Sequence, residues 1–66
     1  MRSKLIEARK AKGYTQKLLA KAIGMTNVGY AKIEHGDRDG TIDTWRKIVS
    51  VLSIPKREAW AMMEER

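Results

Sequence analysis

The stretch Thr15-Gln-Lys-Leu-Leu-Ala20-Lys-Ala-Ile-Gly24-Met-Thr26-Asn-Val-Gly-Tyr30-Ala-Lys-Ile-Glu-His-Gly36 decides the fold, because it reads as two short helices joined by a tight turn. Thr15 is placed to cap the first of them, where its hydroxyl accepts from an unpaired N–H of the opening turn. Leu19, Ala20 and Ile23 then share one face. Gly24 ends that helix, since a residue without Cβ enters the left-handed region at no steric cost. Thr26 caps the second helix, whose buried face carries Tyr30 and Ile33. Ala20 is as informative as Gly24, because two helices crossing closely at a steep angle leave room for only a small side chain. Together these residues specify a helix-turn-helix.

A chain of 66 residues supports one small core, so residues 1–66 read as a single domain. It contains no Cys, which excludes a disulfide framework and a thiolate metal site. No apolar run approaches the roughly 18 residues that cross a bilayer, and the first residues lack the apolar stretch of a secretory signal. The expectation is a soluble cytoplasmic protein with no membrane partner.

The formal net charge is +6 and the pI is near 10.0, but the distribution is more informative than the total. Residues 1–32 hold eight Lys or Arg against Glu7 alone, a balance of +7, whereas residues 33–66 hold six against seven. A positive field concentrated on the half with the helix-turn-helix is the footprint of a nucleic-acid binder, which would associate with the nucleoid. By charge alone, a solvated helical surface reads the same way.

The remaining segments are also helical. Residues 3–12 form a first helix with Leu5, Ala8 and Arg9 inward and Gly13 closing it. After the polar segment Gly36-Asp-Arg-Asp-Gly40, Thr41 caps a fourth helix in which Ile42, Trp45, Ile48, Val49 and Leu52 recur at helical spacing. Pro55 suits the first turn of a fifth helix over residues 55–64, carrying Ala59, Trp60, Met62 and Met63. The expected fold class is all-α.

So arranged, the chain resembles the lambdoid phage repressor and Cro family of helix-turn-helix regulators, also called the xenobiotic-response-element family. The resemblance covers residues 5–54. It rests on Leu5, Arg9, Lys12-Gly13, Thr15-Gln16, Leu19-Ala20, Ile23-Gly24, Ile33-Glu34, Gly36 and the spacing of the fourth helix. It implies a compact five-helix, repressor-like DNA-binding domain. Such a protein reads double-stranded DNA through the major groove as a homodimer on a palindromic operator, and represses by blocking polymerase. Asn27, Val28 and Lys32 match family positions that touch base edges: Asn can pair adenine, Lys can reach guanine acceptors, and Val can pack on a thymine methyl. Gln16 matches the residue that holds a phosphate at a helix N-terminus, where unpaired N–H groups favour an anion. Lys12, Lys17 and Arg38 are near enough in the implied fold to join it, and the Thr26 hydroxyl suits both cap and phosphate. Arg9 and Glu34 match residues that the family commonly joins in an ion pair.

Three residues depart from the family pattern. Leu18 stands where Glu is usual, away from the buried face of its helix, and is expected to be exposed. Gly29 lies inside a helix at a cost of about 1 kcal/mol relative to Ala, so either the backbone there approaches DNA or the glycine is neutral variation. Tyr30 replaces the usual Ile or Val, and its hydroxyl needs water or a partner.

Trp60, Met62 and Met63 offer more apolar area than so small a core requires, which makes the last helix the expected dimer interface; closing the core over the first and fourth helices is the other reading. No nucleophile beside a base, phosphate-cradling glycine loop or carboxylate cluster is apparent, so no catalysis, metal, cofactor or small-molecule ligand is expected. The single His, His35, ends the second motif helix, where a helix-terminal or phosphate contact suits it. Two further readings stay open: a protein-binding module of this fold, and the DNA-binding antitoxin of a toxin–antitoxin pair.

Overall fold

Three of the helix starts are closed by threonines. Thr15 Oγ1 accepts from the N–H of Leu18, Thr26 Oγ1 from Gly29 and Thr41 Oγ1 from Thr44. The computed structural model describes residues 1–65, which form α1 (Ser3–Ala11), α2 (Gln16–Ala22), α3 (Asn27–His35), α4 (Ile42–Leu52) and α5 (Lys56–Glu64), with no strand among the described residues. Gly24 takes φ +74° after α2, and the chain turns back so that Met25 N–H donates to Ala20 O at 2.8 Å. The cap of α4 is different: Ser53 adopts φ 53°, a left-handed conformation that costs any residue with a Cβ.

The core draws on every helix. Leu5 of α1, Leu19 and Ala20 of α2, Tyr30 and Ile33 of α3 and Ile48 of α4 are essentially without solvent contact. Full burial of a large aliphatic side chain contributes about 1.5–3 kcal/mol relative to leaving it exposed. Ala20 is buried at the helix-turn-helix, as the close crossing requires.

Two apolar residues are not where their spacing implied. Met62, expected at a dimer interface, is only 4% exposed and belongs to the core. Its helix turns by about 100° per residue, which separates Met62 from Trp60 by about 160°, so the two cannot serve one flat interface. Ile42, expected on the inward stripe of α4, is 61% exposed. Trp45, Ile48 and Leu52 centre that stripe; Ile42 lies at its edge, on the first residue of the helix, with no further turn to pack beside it.

Arg2 is the largest departure, since it counted as surface charge and is fully buried. Its Nε donates to Met62 O at 3.0 Å, Nη1 to Ile33 O at 2.6 Å and Arg38 O at 2.9 Å, and Nη2 to Met63 O at 3.2 Å. The guanidinium also lies 5.4 Å from the centre of the Trp45 ring, whose own Nε1 donates to Asp39 O at 2.8 Å. A buried cation is tolerable when it is paired and hydrogen bonds replace its hydration, and here the carbonyls supply the bonds while Asp39 Oδ1 lies 3.9 Å from Nη2. Arg9 is buried as well, so six of the eight cations in residues 1–32 remain exposed: Lys4, Lys10, Lys12, Lys17, Lys21 and Lys32.

Candidate nucleic-acid interface

The outer face of α3 is a single stripe. With about 100° between successive residues, Asn27, Ala31, His35, Val28 and Lys32 fall in that order within an arc of about 140°, while Gly29, Tyr30, Ile33 and Glu34 fill the opposite side. Burial follows the same division: the second group is buried, Ala31 is half-buried, and Asn27, Val28, Lys32 and His35 are exposed, Val28 at 66%. Among the described residues, no hydrogen bond or ion pair ties down the side chain of Asn27, Lys32 or His35. Polar side chains without a partner are therefore presented outward from a helix whose other side is buried. Ala31, which the angular spacing puts at the flank beside Asn27, and His35, which the sequence suggests for a helix-terminal or phosphate contact, occupy the middle of this stripe.

The buried side of α3 is anchored by one carboxylate. Glu34 Oε2 accepts from Arg9 Nε at 2.6 Å and from the Tyr30 hydroxyl at 2.6 Å, and Oε1 accepts from Gln16 Nε2 at 2.9 Å. Arg9 is held in turn by Nη1 donating to Tyr14 O at 2.7 Å. Burial alone would raise the Glu34 pKa, but hydrogen bonds from Gln16, Tyr30 and Arg9 outweigh it and hold the carboxyl below its ordinary value. Burial, reinforced by the neighbouring carboxylate, pushes the Tyr30 phenol well above its own. The hydroxyl that had no evident partner in the sequence thus completes the ion pair.

Gln16 opens α2 half-buried, with one N–H of its amide directed to Glu34; the same nitrogen carries a second N–H. The contact orients the side chain beside the N-terminus of α2. Lys17 is exposed on the next residue, and Lys12 is exposed at the end of α1. At the N-terminus of α3, the Thr26 hydroxyl oxygen accepts the Gly29 N–H at 3.0 Å. A Cβ at Gly29 would lie 3.0 Å from that oxygen, 3.4 Å from Met25 Cε and 3.7 Å from an Arg38 Nη. Gly29 therefore faces its own cap and not the outer stripe, which removes the close-approach explanation for it. The same distances bring the Arg38 guanidinium to the first turn of α3, where it adds positive charge to the helix terminus.

Away from this face, Trp60 is 64% exposed and Met63 half-buried. With Ile42, Trp45, Val49 and Ala59 they line a shallow groove of about 310 Å³ between α4 and α5, edged by Arg46 and Lys56. Leu18 is exposed, as its position on α2 implied.

A protein-family model described as helix-turn-helix matches residues 5–58, most of the chain and the whole of α2, α3 and α4. Comparison with curated proteins finds no match.

Proposed function

This chain belongs to the Cro/C1-type helix-turn-helix family of DNA-binding transcription regulators, and from that premise we propose that it acts as a homodimeric repressor reading a palindromic operator in the major groove. The observation that carries the proposal is the outer stripe of α3. Asn27, Val28 and Lys32 supply an amide for adenine, a methyl-packing surface for thymine and a cation for guanine, and His35 extends the same face. Gln16, Lys17, Thr26, Lys12 and Arg38 supply the phosphate contacts that set the depth and register of α3, with two helix N-termini among them. The six exposed cations of residues 1–32 add a field that attracts any duplex and is screened by salt.

The dimer is read from Trp60 and Met63. Two copies joined through this groove would cover apolar surface that each leaves open, and would set two α3 helices on successive major-groove turns about 34–36 Å apart. Occupancy of such a site excludes polymerase from an overlapping promoter.

Selection of bound duplexes from a random pool tests the reading. Enrichment of an inverted repeat supports it, whereas enrichment of a single unrepeated site would remove the dimer and leave the reader. A pool that shows no enrichment, with binding confined to low salt, would overturn sequence-specific recognition and leave a protein-binding module of this fold.

A further inference from the structure

The two helices that matter most to a dimeric reader, α3 for the bases and α5 for the second copy, are both held by the side chain of Arg2. We propose that Arg2 is the positioning residue that fixes the tilt of α3 relative to α5, and so sets the half-site spacing the protein accepts. This rests on the reading that the α5 face pairs two copies.

Arg2 Nη1 reaches Ile33 O in the last turn of α3, while Nε and Nη2 reach Met62 O and Met63 O in the last turn of α5. Nη1 also holds Arg38 O in the loop that follows α3, and the Arg2 backbone N–H donates to Glu34 O at 2.7 Å. Two helix C-termini, each with its partial negative charge, thus converge on one buried cation. Their main packing partners differ, since α3 lies on α1 and α2 whereas α5 lies on α1 and α4. Arg2 is a direct polar link between them among the described residues.

The chemistry suits an angular constraint. A guanidinium is planar and presents five N–H groups in fixed directions, so acceptors on two helices must keep their relative orientation to satisfy it. Apolar contacts tolerate sliding because burial is non-directional. A Lys ammonium would keep the charge but has only three donors without the planar fork, so it can hold the helices near each other without defining their angle.

The test uses the enriched inverted repeat with its half-sites moved closer or farther by one base pair, a change that turns one half-site relative to the other by about 34°. The native chain, Arg2→Lys and Arg2→Met are compared at temperatures where circular dichroism shows each folded, with sedimentation reporting dimerisation. The native chain should lose about tenfold or more in affinity on either altered spacing, and the variants about threefold or less, with base preference within each half-site unchanged. Arg2→Lys serves if Arg2→Met does not fold. Ile48→Val, which loosens the core without touching the link, should keep the native penalty. A folded, dimeric Arg2→Lys with the native spacing penalty would overturn the proposal while leaving the dimer intact. A native chain that is monomeric, or indifferent to spacing, would overturn the dimer reading and this inference together.

Discussion

Tyr30 and Glu34, one turn apart on α3, are joined by a 2.6 Å hydrogen bond in which the phenol donates to the carboxylate oxygen that also receives Arg9. This arrangement makes stability depend on pH at both ends. The folded Glu34 pKa lies below the unfolded value of about 4.3, so its contribution is present above that pH and is lost as pH falls through the folded pKa. The folded Tyr30 pKa lies above the unfolded value of about 10, so its contribution is complete below pH 10 and is lost as pH rises beyond it. Glu34→Gln should cost about 3 kcal/mol or more by stranding buried Arg9, and should flatten the acid limb. Tyr30→Phe should cost about 1 kcal/mol, abolish the alkaline limb and lessen the acid limb in part, since its hydrogen bond helps to hold the Glu34 pKa down. Urea unfolding across pH 3–11 checks both, and an unchanged acid limb in Glu34→Gln would count against the assignment.

Gly29 and Thr26 should show strong non-additivity. Helix propensity favours Ala over Gly by about 1 kcal/mol, but the new Cβ would crowd the Thr26 oxygen that caps the helix, at 3.0 Å. Gly29→Ala in the native background is therefore expected to gain little or lose stability. In a Thr26→Ala background, where that oxygen is gone, it should gain close to the full increment. Thermal unfolding of the four proteins measures the coupling, and equal effects in both backgrounds would refute the steric account.

Ser53→Gly should stabilise the fold by up to about 1 kcal/mol, because Ser53 holds φ 53° at the end of α4 where glycine has no Cβ to crowd. The greater freedom of glycine in the unfolded chain subtracts from that gain. The residue is exposed, so DNA affinity should not change, and a lowered midpoint would show that Ser53 contributes a contact which outweighs its strain.

For recognition, Asn27→Ala and Lys32→Ala should each lose about 1–3 kcal/mol on the enriched site and much less on random duplex, at different base pairs. His35→Ala should show a smaller effect of the same kind, from the edge of the helix nearest its C-terminus. Binding to sites substituted one position at a time locates each contact. Equal weakening on all sequences would assign these residues to phosphates and move readout to Val28 and DNA shape.

Trp60→Ala should weaken self-association and operator binding together, whereas Met62→Ala should lower stability by about 2–5 kcal/mol, because one residue is exposed on the groove and the other is in the core. Sedimentation and thermal unfolding separate the two effects. Equal self-association in Trp60→Ala and the native chain would remove the groove from the dimer.

Local physical chemistry was legible in the order of amino acids. The caps at Thr15, Thr26 and Thr41, the stop at Gly24 and the small contact residue Ala20 each depend on a few neighbouring residues, so reading along the chain found five helices and the helix-turn-helix. The outward placement of Asn27, Val28 and Lys32 follows from the angle between residues on one helix, and is legible for the same reason. What the chain order could not determine is which charges and apolar side chains leave the surface, because burial depends on partners far away in sequence. Arg2 is buried because carbonyls more than 30 and about 60 residues distant meet around it. Met62 is buried because α5 turns that side toward the core, and Trp60, two residues earlier, is left in solvent. The Tyr30 hydroxyl finds Glu34 one turn along its own helix, but only folding brings Arg9 and Gln16, 25 and 18 residues away from Glu34, onto the same carboxylate. Hydrogen-bond satisfaction of buried polar groups is a property of the assembled fold, and only the tertiary structure decided it.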